Sequence, residues 1–432
     1  MYVLHYLLPH LICVFLSQTV LADTDGTWNY LGVTGYSGFI TMNVLTRSSM
    51  FYWLFEAIDG NITTDSRPMI IWLEGGPGCS GSTSMIWQNI SPLHLSSTGQ
   101  PLRTSLNFTW ATDYHIMSID FPYGSGYSFA NSLNDEKNTT SAATAYLLKF
   151  LNKLYAKYPT WFNRSVYLFG ESYAGHWIPS LSTQILAQNS QGSSIYYNLQ
   201  GIGIGSPWID PLSQSMVYSL FSYSNALIDG YQQSIVELYQ NRISDEIQDG
   251  NLAQANTDRS YLLNMISEFA GGANIFNFRR FSPYSYSSLT SFMNSASTKS
   301  LFHATTNIYW ENCNSTVNEL FASDHMNSTV NLLSSVLAQG VKVLIYHGQD
   351  DLINPITSMQ PVFALLNWNG VNMFNSAQKA NWYVNSTSVG YAQSAGNLTY
   401  ASLFAAGHYA DHDQPLNIKD MVLRFVNGTS WY

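Results

Sequence analysis

Charge is the scarcest property of this chain. Only 10% of its 432 residues are Asp, Glu, Lys or Arg, and 17 Lys and Arg against 27 Asp and Glu leave a formal net charge of −10. A nucleic-acid partner needs clustered cations facing its phosphates, and so thin a scatter supplies none. Cysteine is nearly as rare, with three residues, Cys13, Cys79 and Cys313. Beyond the N-terminal leader no run is apolar enough to span a bilayer, so no stable membrane insertion is expected. Internal repeats and low-complexity linkers are also missing. What the chain does have is apolar bulk: 46% hydrophobic and 15% aromatic residues supply a large core, which excludes disordered and fibrous classes.

The first 22 residues read as a secretory signal. Leu11 to Leu21 is mostly apolar and Ala22 offers a small residue at the cut, although a basic start is lacking and Pro9 and His10 interrupt the run. Removing the signal removes Cys13, and the remaining even pair most simply forms one disulfide in an oxidising compartment. Ten Asn-x-Ser/Thr sequons agree with that route: Asn61, Asn107, Asn138, Asn163, Asn314, Asn327, Asn385, Asn397 and Asn427 are glycan candidates, and Asn89 is weakened by Pro92. Glycans would keep a charge-poor, aromatic-rich surface soluble. The expected location is the secretory pathway, ending outside the cell or in a lysosome or vacuole.

Residues 23–432 read as one domain. Gly38–Val44 and Met50–Glu56 are β-branched and aromatic runs bounded by turn residues. Pro68–Leu73, His115–Asp120, Ser165–Phe169 and Val341–Tyr346 are short apolar runs of the kind buried on both faces of a sheet. Ala142–Leu154 and Ile178–Ala187 carry helical spacing between them. This alternation predicts an α/β fold with a mixed, mostly parallel sheet covered on both faces. From about 213 to 302 the rhythm breaks into a polar, helix-leaning insertion, expected to form a lid over the C-terminal edge of the sheet. Gly201-Ile-Gly-Ile-Gly205 lacks the third spaced glycine of a dinucleotide site and reads as strand and turn.

Gly170-Glu-Ser-Tyr-Ala-Gly175 follows an apolar strand and precedes a helical stretch, the context of a nucleophile elbow. Such a turn needs small neighbours and lifts the Ser172 hydroxyl above the sheet. An α/β-hydrolase then needs an acid and a histidine later in the chain, each after a strand. Val343–Tyr346 leads into His347-Gly-Gln-Asp-Asp351, and Thr399–Phe404 leads into Ala405-Ala-Gly-His408. Asp350 and Asp351 both stand in the acid's place. His408, Asp411, His412 and Asp413 have the look of a metal cluster, but the run follows a strand and ends in Gln414-Pro415. A loop is expected there, with no metal.

Taken together, Trp72-Leu-Glu-Gly-Gly-Pro-Gly-Cys-Ser80, Ile119–Phe129, the elbow, Gly201–Pro211, Gly348-Gln-x-Asp-Leu-Ile353 and Gly407-His-x4-Asp-Gln-Pro415 resemble the motifs of the serine carboxypeptidases, in their order, over nearly the whole mature chain. The Gly348–Ile353 run is most similar to the vitellogenic-like branch. The resemblance implies an α/β-hydrolase fold and removal of C-terminal residues from peptides and proteins at acidic pH. No cofactor is implied, and the chain could act alone or as a homodimer. It implies Ser172 as nucleophile, His408 as base and Asp351, by its spacing, as the acid. Backbone N–H groups of Gly76 and Tyr173 would form the oxyanion hole. It also implies a Cys79–Cys313 bridge from the Gly-rich loop to the base of the lid.

An exopeptidase must grip a free carboxylate, a role the resemblance gives to positions 74, 75, 88 and 171. Here they are Glu74, Gly75, Gln88 and Glu171. Glu74 replaces an Asn and Gln88 replaces a Glu, so two acids and one amide are kept with their places exchanged. The expectation is a rewired network in which a protonated Glu74 or Glu171 donates to the substrate carboxylate. A same-fold esterase or acyltransferase, and a non-catalytic binding protein on this scaffold, are the alternatives; the complete triad argues against the second.

Overall fold

The computed structural model describes residues 23–304 and 307–431, so the leader and Cys13 lie outside the described residues. In chain order the strands are β1 (Thr24–Tyr30), β2 (Val33–Asn43), β3 (Ser48–Phe55), β4 (Met69–Leu73), β5 (Leu93–Leu95), β6 (Pro101–Arg103) and β7 (His115–Ile119). They continue as β8 (Val166–Glu171), β9 (Leu199–Gly205), β10 (Lys342–Gly348), β11 (Ala380–Val384), β12 (Thr387–Ala395) and β13 (Leu398–Leu403). β5 and β6 pair alone; the other eleven form one sheet in the order β1-β2-β3-β7-β4-β8-β9-β10-β13-β12-β11. From β7 to β13 neighbours run parallel, and the strands outside that block are antiparallel.

Burial explains the sequence of the central strands. Every residue of β4 and β7 is buried, because helices cover both faces and leave no polar side to write into the pattern. Successive side chains enter opposite layers. Ile71 of β4 and Ile345 of β10 join Leu147, Trp177 and Leu333 on one face. Trp72 and Leu344 join Met85, Met421 and Phe425 on the other.

The expected helices are longer than their apolar spacing indicated, spanning Thr140–Lys157 and Ala174–Ser190. The polar stretch after β9 is helical, with Pro211–Ser215, Tyr218–Ser224, Gly230–Gln248, Leu252–Phe269, Ser287–Asn294 and Ala296–Leu301. Residues 275–278 of this insertion lie along the loops that follow β10 and β13. Leu352 and Ile353 N–H donate to Ile275 O, Phe278 N–H to Asp350 O, and His408 N–H to Phe276 O. One expectation needs correction: Ala410–Asp413 is a short helix rather than a loop, running on into Pro415–Asn427 with Gln414 between. A disulfide joins Cys79 to Cys313 across a sequence separation of 234. Among the described residues no helix is long and apolar enough to cross a membrane.

Seven of the sequon asparagines, Asn61, Asn107, Asn138, Asn163, Asn327, Asn385 and Asn427, are exposed. Asn314 is half-buried and caps a helix, its side chain bonded to Thr316 N and Gly124 O. Asn397 meets an obstacle. Its amide donates to both Leu337 O at 2.9 Å and Val341 O at 2.7 Å, so a glycan there breaks an existing contact.

Candidate active site

β8 ends at Glu171, and the next residue, Ser172, has φ of 61°, a left-handed backbone for a side chain that normally avoids it. Its surroundings leave no choice of neighbours. A Cβ on Gly170 would stand 2.1 Å from Leu73 O, and one on Gly175 would stand 2.3 Å from Trp208 O. Gly75 is crowded too, since a Cβ there would meet Ser172 Cβ at 2.8 Å. The turn is pinned from both sides: Ser172 N–H donates to Gly205 O at 2.8 Å, and Ser172 O accepts from Trp208 N–H at 2.9 Å.

β9, β10 and β13 lie successively beside β8, so their ends carry the next groups to the same edge of the sheet. Asp351 follows β10 and His408 follows β13. His408 Nδ1 meets Asp351 Oδ2 at 2.9 Å, and both side chains are buried. Asp351 Oδ1 accepts from Asn354 N–H at 3.0 Å. Asp350 turns elsewhere, with Arg279 3.9 Å from its carboxylate. Among the described residues no hydrogen bond links the Ser172 hydroxyl to the His408 imidazole, and neither Gly76 N–H nor Tyr173 N–H is engaged. Gly76 has φ of 106°, so the Gly-rich loop turns there in a way that favours glycine. Behind His408, the buried His347 is driven down to about 3 by burial and then by the charge of His408, and so stays neutral.

The four residues expected around the substrate carboxylate do come together, beside the elbow. Gln88 Nε2 donates to Glu171 Oε1 at 2.8 Å. Glu74 accepts from Trp72 Nε1 at 3.0 Å, from the Ser84 hydroxyl, and from Gly75 N–H at 3.3 Å. Glu171 is pushed far above the ordinary carboxyl range, first by burial and then by the charges of Glu74 and Asp411. Its second oxygen, Oε2, has no hydrogen-bond partner among the described residues.

Sequence reasoning missed the third acid of this cluster. Asp411 is buried and pushed up to about 7 by burial, with the charge of Glu74 adding to the effect and a bond from Tyr346 OH at 3.1 Å opposing it. Its other oxygen has no partner among the described residues. Its position three residues after the histidine was the available signal, but a buried acid looks like a turn residue in sequence. His412 faces away, stacked on Trp87 at 3.9 Å with Nδ1 against Trp87 O at 3.0 Å, so the two histidines serve separate partners.

The insertion walls the site with aromatic rings that the sequence reading did not single out. Phe276 lies 5.6 Å from the His408 ring and 5.3 Å from Tyr409, and Tyr284 and Tyr286 pack on Trp87. Asp413 secures this wall, accepting from Gly407 N–H at 2.8 Å, Asn277 Nδ2 at 3.0 Å and Tyr284 OH at 3.0 Å. A cavity of about 470 Å³ opens here, lined by Phe276, Phe281, Tyr284, Tyr286, Tyr409 and Cys313 among others. A larger one of about 600 Å³ near Tyr30 and Ser288 has a mixed lining of Ser, Thr and apolar residues and touches none of these groups.

The sequence model of the serine carboxypeptidases matches residues 26–428. A probable serine carboxypeptidase CPVL of Dictyostelium discoideum is 29% identical over 401 residues, covering 91% of this chain and 78% of that protein. Its human namesake is 28% identical over 425 residues, covering 94% and 86%. The crystal structure of a prohormone-processing carboxypeptidase from Saccharomyces cerevisiae shares the fold, with a TM-score of 0.80, 24% identity and 92% coverage of each chain.

Proposed function

The chain belongs to the serine carboxypeptidase family, and from that premise we propose that Ser172, His408 and Asp351 cleave the last peptide bond of a chain whose free carboxylate is held by Glu74, Gly75, Gln88 and Glu171. The observation that carries the reading is the His408–Asp351 contact of 2.9 Å at the sheet edge where the Ser172 turn also ends. Ser172 Oγ attacks the scissile carbonyl while His408 Nε2 takes its proton. The negative oxygen then faces the unengaged N–H groups of Gly76 and Tyr173. As the carbon–nitrogen bond breaks, the imidazolium returns the proton to the departing amine, and water discharges the acyl-enzyme by the same route. Asp351 fixes the tautomer, leaving Nε2 free to accept.

The acid cluster supplies the exopeptidase selectivity. Protonated Glu171 offers a donor to a terminal carboxylate, while an amidated end brings no charge to match it. The aromatic cavity beside His408 suits an apolar side chain flanking the scissile bond. Working pH would be acidic, because protons on Glu171 and Asp411 relieve the repulsion each feels from Glu74. Exposed sequons, the disulfide and the apolar leader support delivery through the secretory pathway, with the residues from 213 to 302 acting as the lid. One copy supplies every group in this scheme, so homodimerisation is not part of it.

The test is product analysis on a peptide library with free and amidated C-termini, alongside fluorophosphonate labelling. Stepwise trimming of free ends, and labelling lost in Ser172→Ala, are expected. Equal cleavage of amidated ends would remove the exopeptidase reading, and unlabelled wild-type protein would remove the nucleophile.

A further inference from the structure

Arg259 is a cation buried to 5% exposure that forms no ion pair with a carboxylate among the described residues. It sits on helix Leu252–Phe269 of the insertion, far in sequence from the catalytic motifs. A lone buried guanidinium is costly unless its donors find acceptors, and three of the five here do. Nε donates to Tyr218 OH at 2.8 Å, and Nη2 donates to Ile353 O at 2.7 Å and to Asn354 Oδ1 at 2.9 Å. Its Cζ lies over the Trp208 ring, 3.9 Å from the centroid.

Two of these partners, Asn354 and Trp208, are each bonded to a triad member. Asn354, held by Arg259 at Oδ1, turns its backbone N–H to Asp351 Oδ1 and thereby leaves Oδ2 to His408. The Asn354 amide also donates to Ser206 O at 2.7 Å, and the residue before Ser206 is Gly205, whose carbonyl holds Ser172 N–H. Trp208, beneath the guanidinium, holds Ser172 O through its own N–H. Buried Tyr218 feels the charges of both Arg259 and Asp351, so the cation also stands near the buried catalytic carboxylate.

We propose that Arg259 is a positioning residue of the insertion that fixes, through Asn354 and Trp208, the orientation of Asp351 and of the Ser172 turn. The insertion is then a wall for substrate and also a structural part of the charge-handling pair. This inference rests on the triad reading above. Lysine cannot replace the group, because one ammonium cannot reach three separated acceptors and stack on an indole at once.

The experiment is a double-mutant cycle on the full mature chain, with kcat and KM measured on a blocked dipeptide and the rate of fluorophosphonate labelling measured in parallel. Arg259→Met and Asn354→Ala are each expected to lower kcat about 10- to 100-fold with KM within about twofold, since small misalignments of reacting groups cost rates of that order. Labelling should slow by the same factor. The double variant should fall no further than the worse single, because both act through one chain of contacts. Arg259→Lys guards against misfolding and should lie between wild type and Arg259→Met. Leu262→Ala, in the same helix and also buried, controls for loss of stability alone. The proposal is overturned if Arg259→Met keeps kcat within twofold. It is equally overturned if the single losses multiply in the double variant, or if Leu262→Ala lowers kcat as much at an equal drop in Tm. Failure of wild-type protein to label would instead overturn the triad reading beneath it.

Discussion

Replacing Asp411 by asparagine should make the protein more stable at neutral pH and leave it almost unchanged at pH 4. The carboxyl is fully buried and its pKa rises from 3.8 to about 7 on folding, so the folded state binds a proton that the unfolded chain gives up. Stability from this group is therefore fully present below pH 3.8 and disappears as pH climbs through about 7. Between those limits the difference is about 3 pH units, and at 1.36 kcal/mol for each tenfold change in proton affinity it is worth ~4 kcal/mol. Asparagine keeps an acceptor for Tyr346 OH and cannot ionise, so the variant should lack this pH dependence. Urea unfolding of both proteins at half-unit steps from pH 4 to pH 8 reads the effect directly. The wild-type midpoint should fall across the interval while that of Asp411→Asn falls much less, the two curves meeting at the acid end. Parallel curves would refute the reasoning, because they would mean that the carboxyl is no more reluctant to ionise when folded than when unfolded.

Three further perturbations have defined outcomes. Glu171→Gln places a permanent donor where a raised acid now holds its proton, so the wild-type decline in kcat/KM with rising pH on a free-carboxylate dipeptide should flatten; matched amidated substrates should respond to neither change. Removing the Cys79–Cys313 bridge, with both residues replaced by alanine, should cost about 5 kcal/mol in the chain-entropy account for a separation of 234 residues, measured as a urea midpoint shift that reductant reproduces in wild type. Peptide mapping after enzymatic deglycosylation should find sugar at the exposed sequons, such as Asn138 and Asn427, and none at Asn397.

The parts of this molecule legible in sequence are those with a strong local rule. Strands buried on both faces appear as unbroken apolar runs, which is why β4, β7, β8 and β10 could be read directly. The elbow was legible because its steric demand for Gly170 and Gly175 leaves a motif behind. β11 and β12 escaped because they lie at the sheet edge, where only alternate residues of Ala380–Val384 are buried and the run is broken by polar side chains. Arg259 and Asn354 left no trace, since their meaning lies in contacts across 95 residues of chain. Asp411 stood in plain view, but whether an acid faces water or other acids is decided by tertiary packing alone.

The three bonds that converge on Asp413 tie the backbone just before His408 to Asn277 and Tyr284 of the insertion. Loops that recognise substrates are often treated as exchangeable decoration on a rigid engine, but here the decoration is bolted to the loop that carries the imidazole. An engineer who redraws this rim to accept a new side chain should expect to retune the imidazole as well. Transplanting the segment from a relative would demand that the matching anchors travel with it.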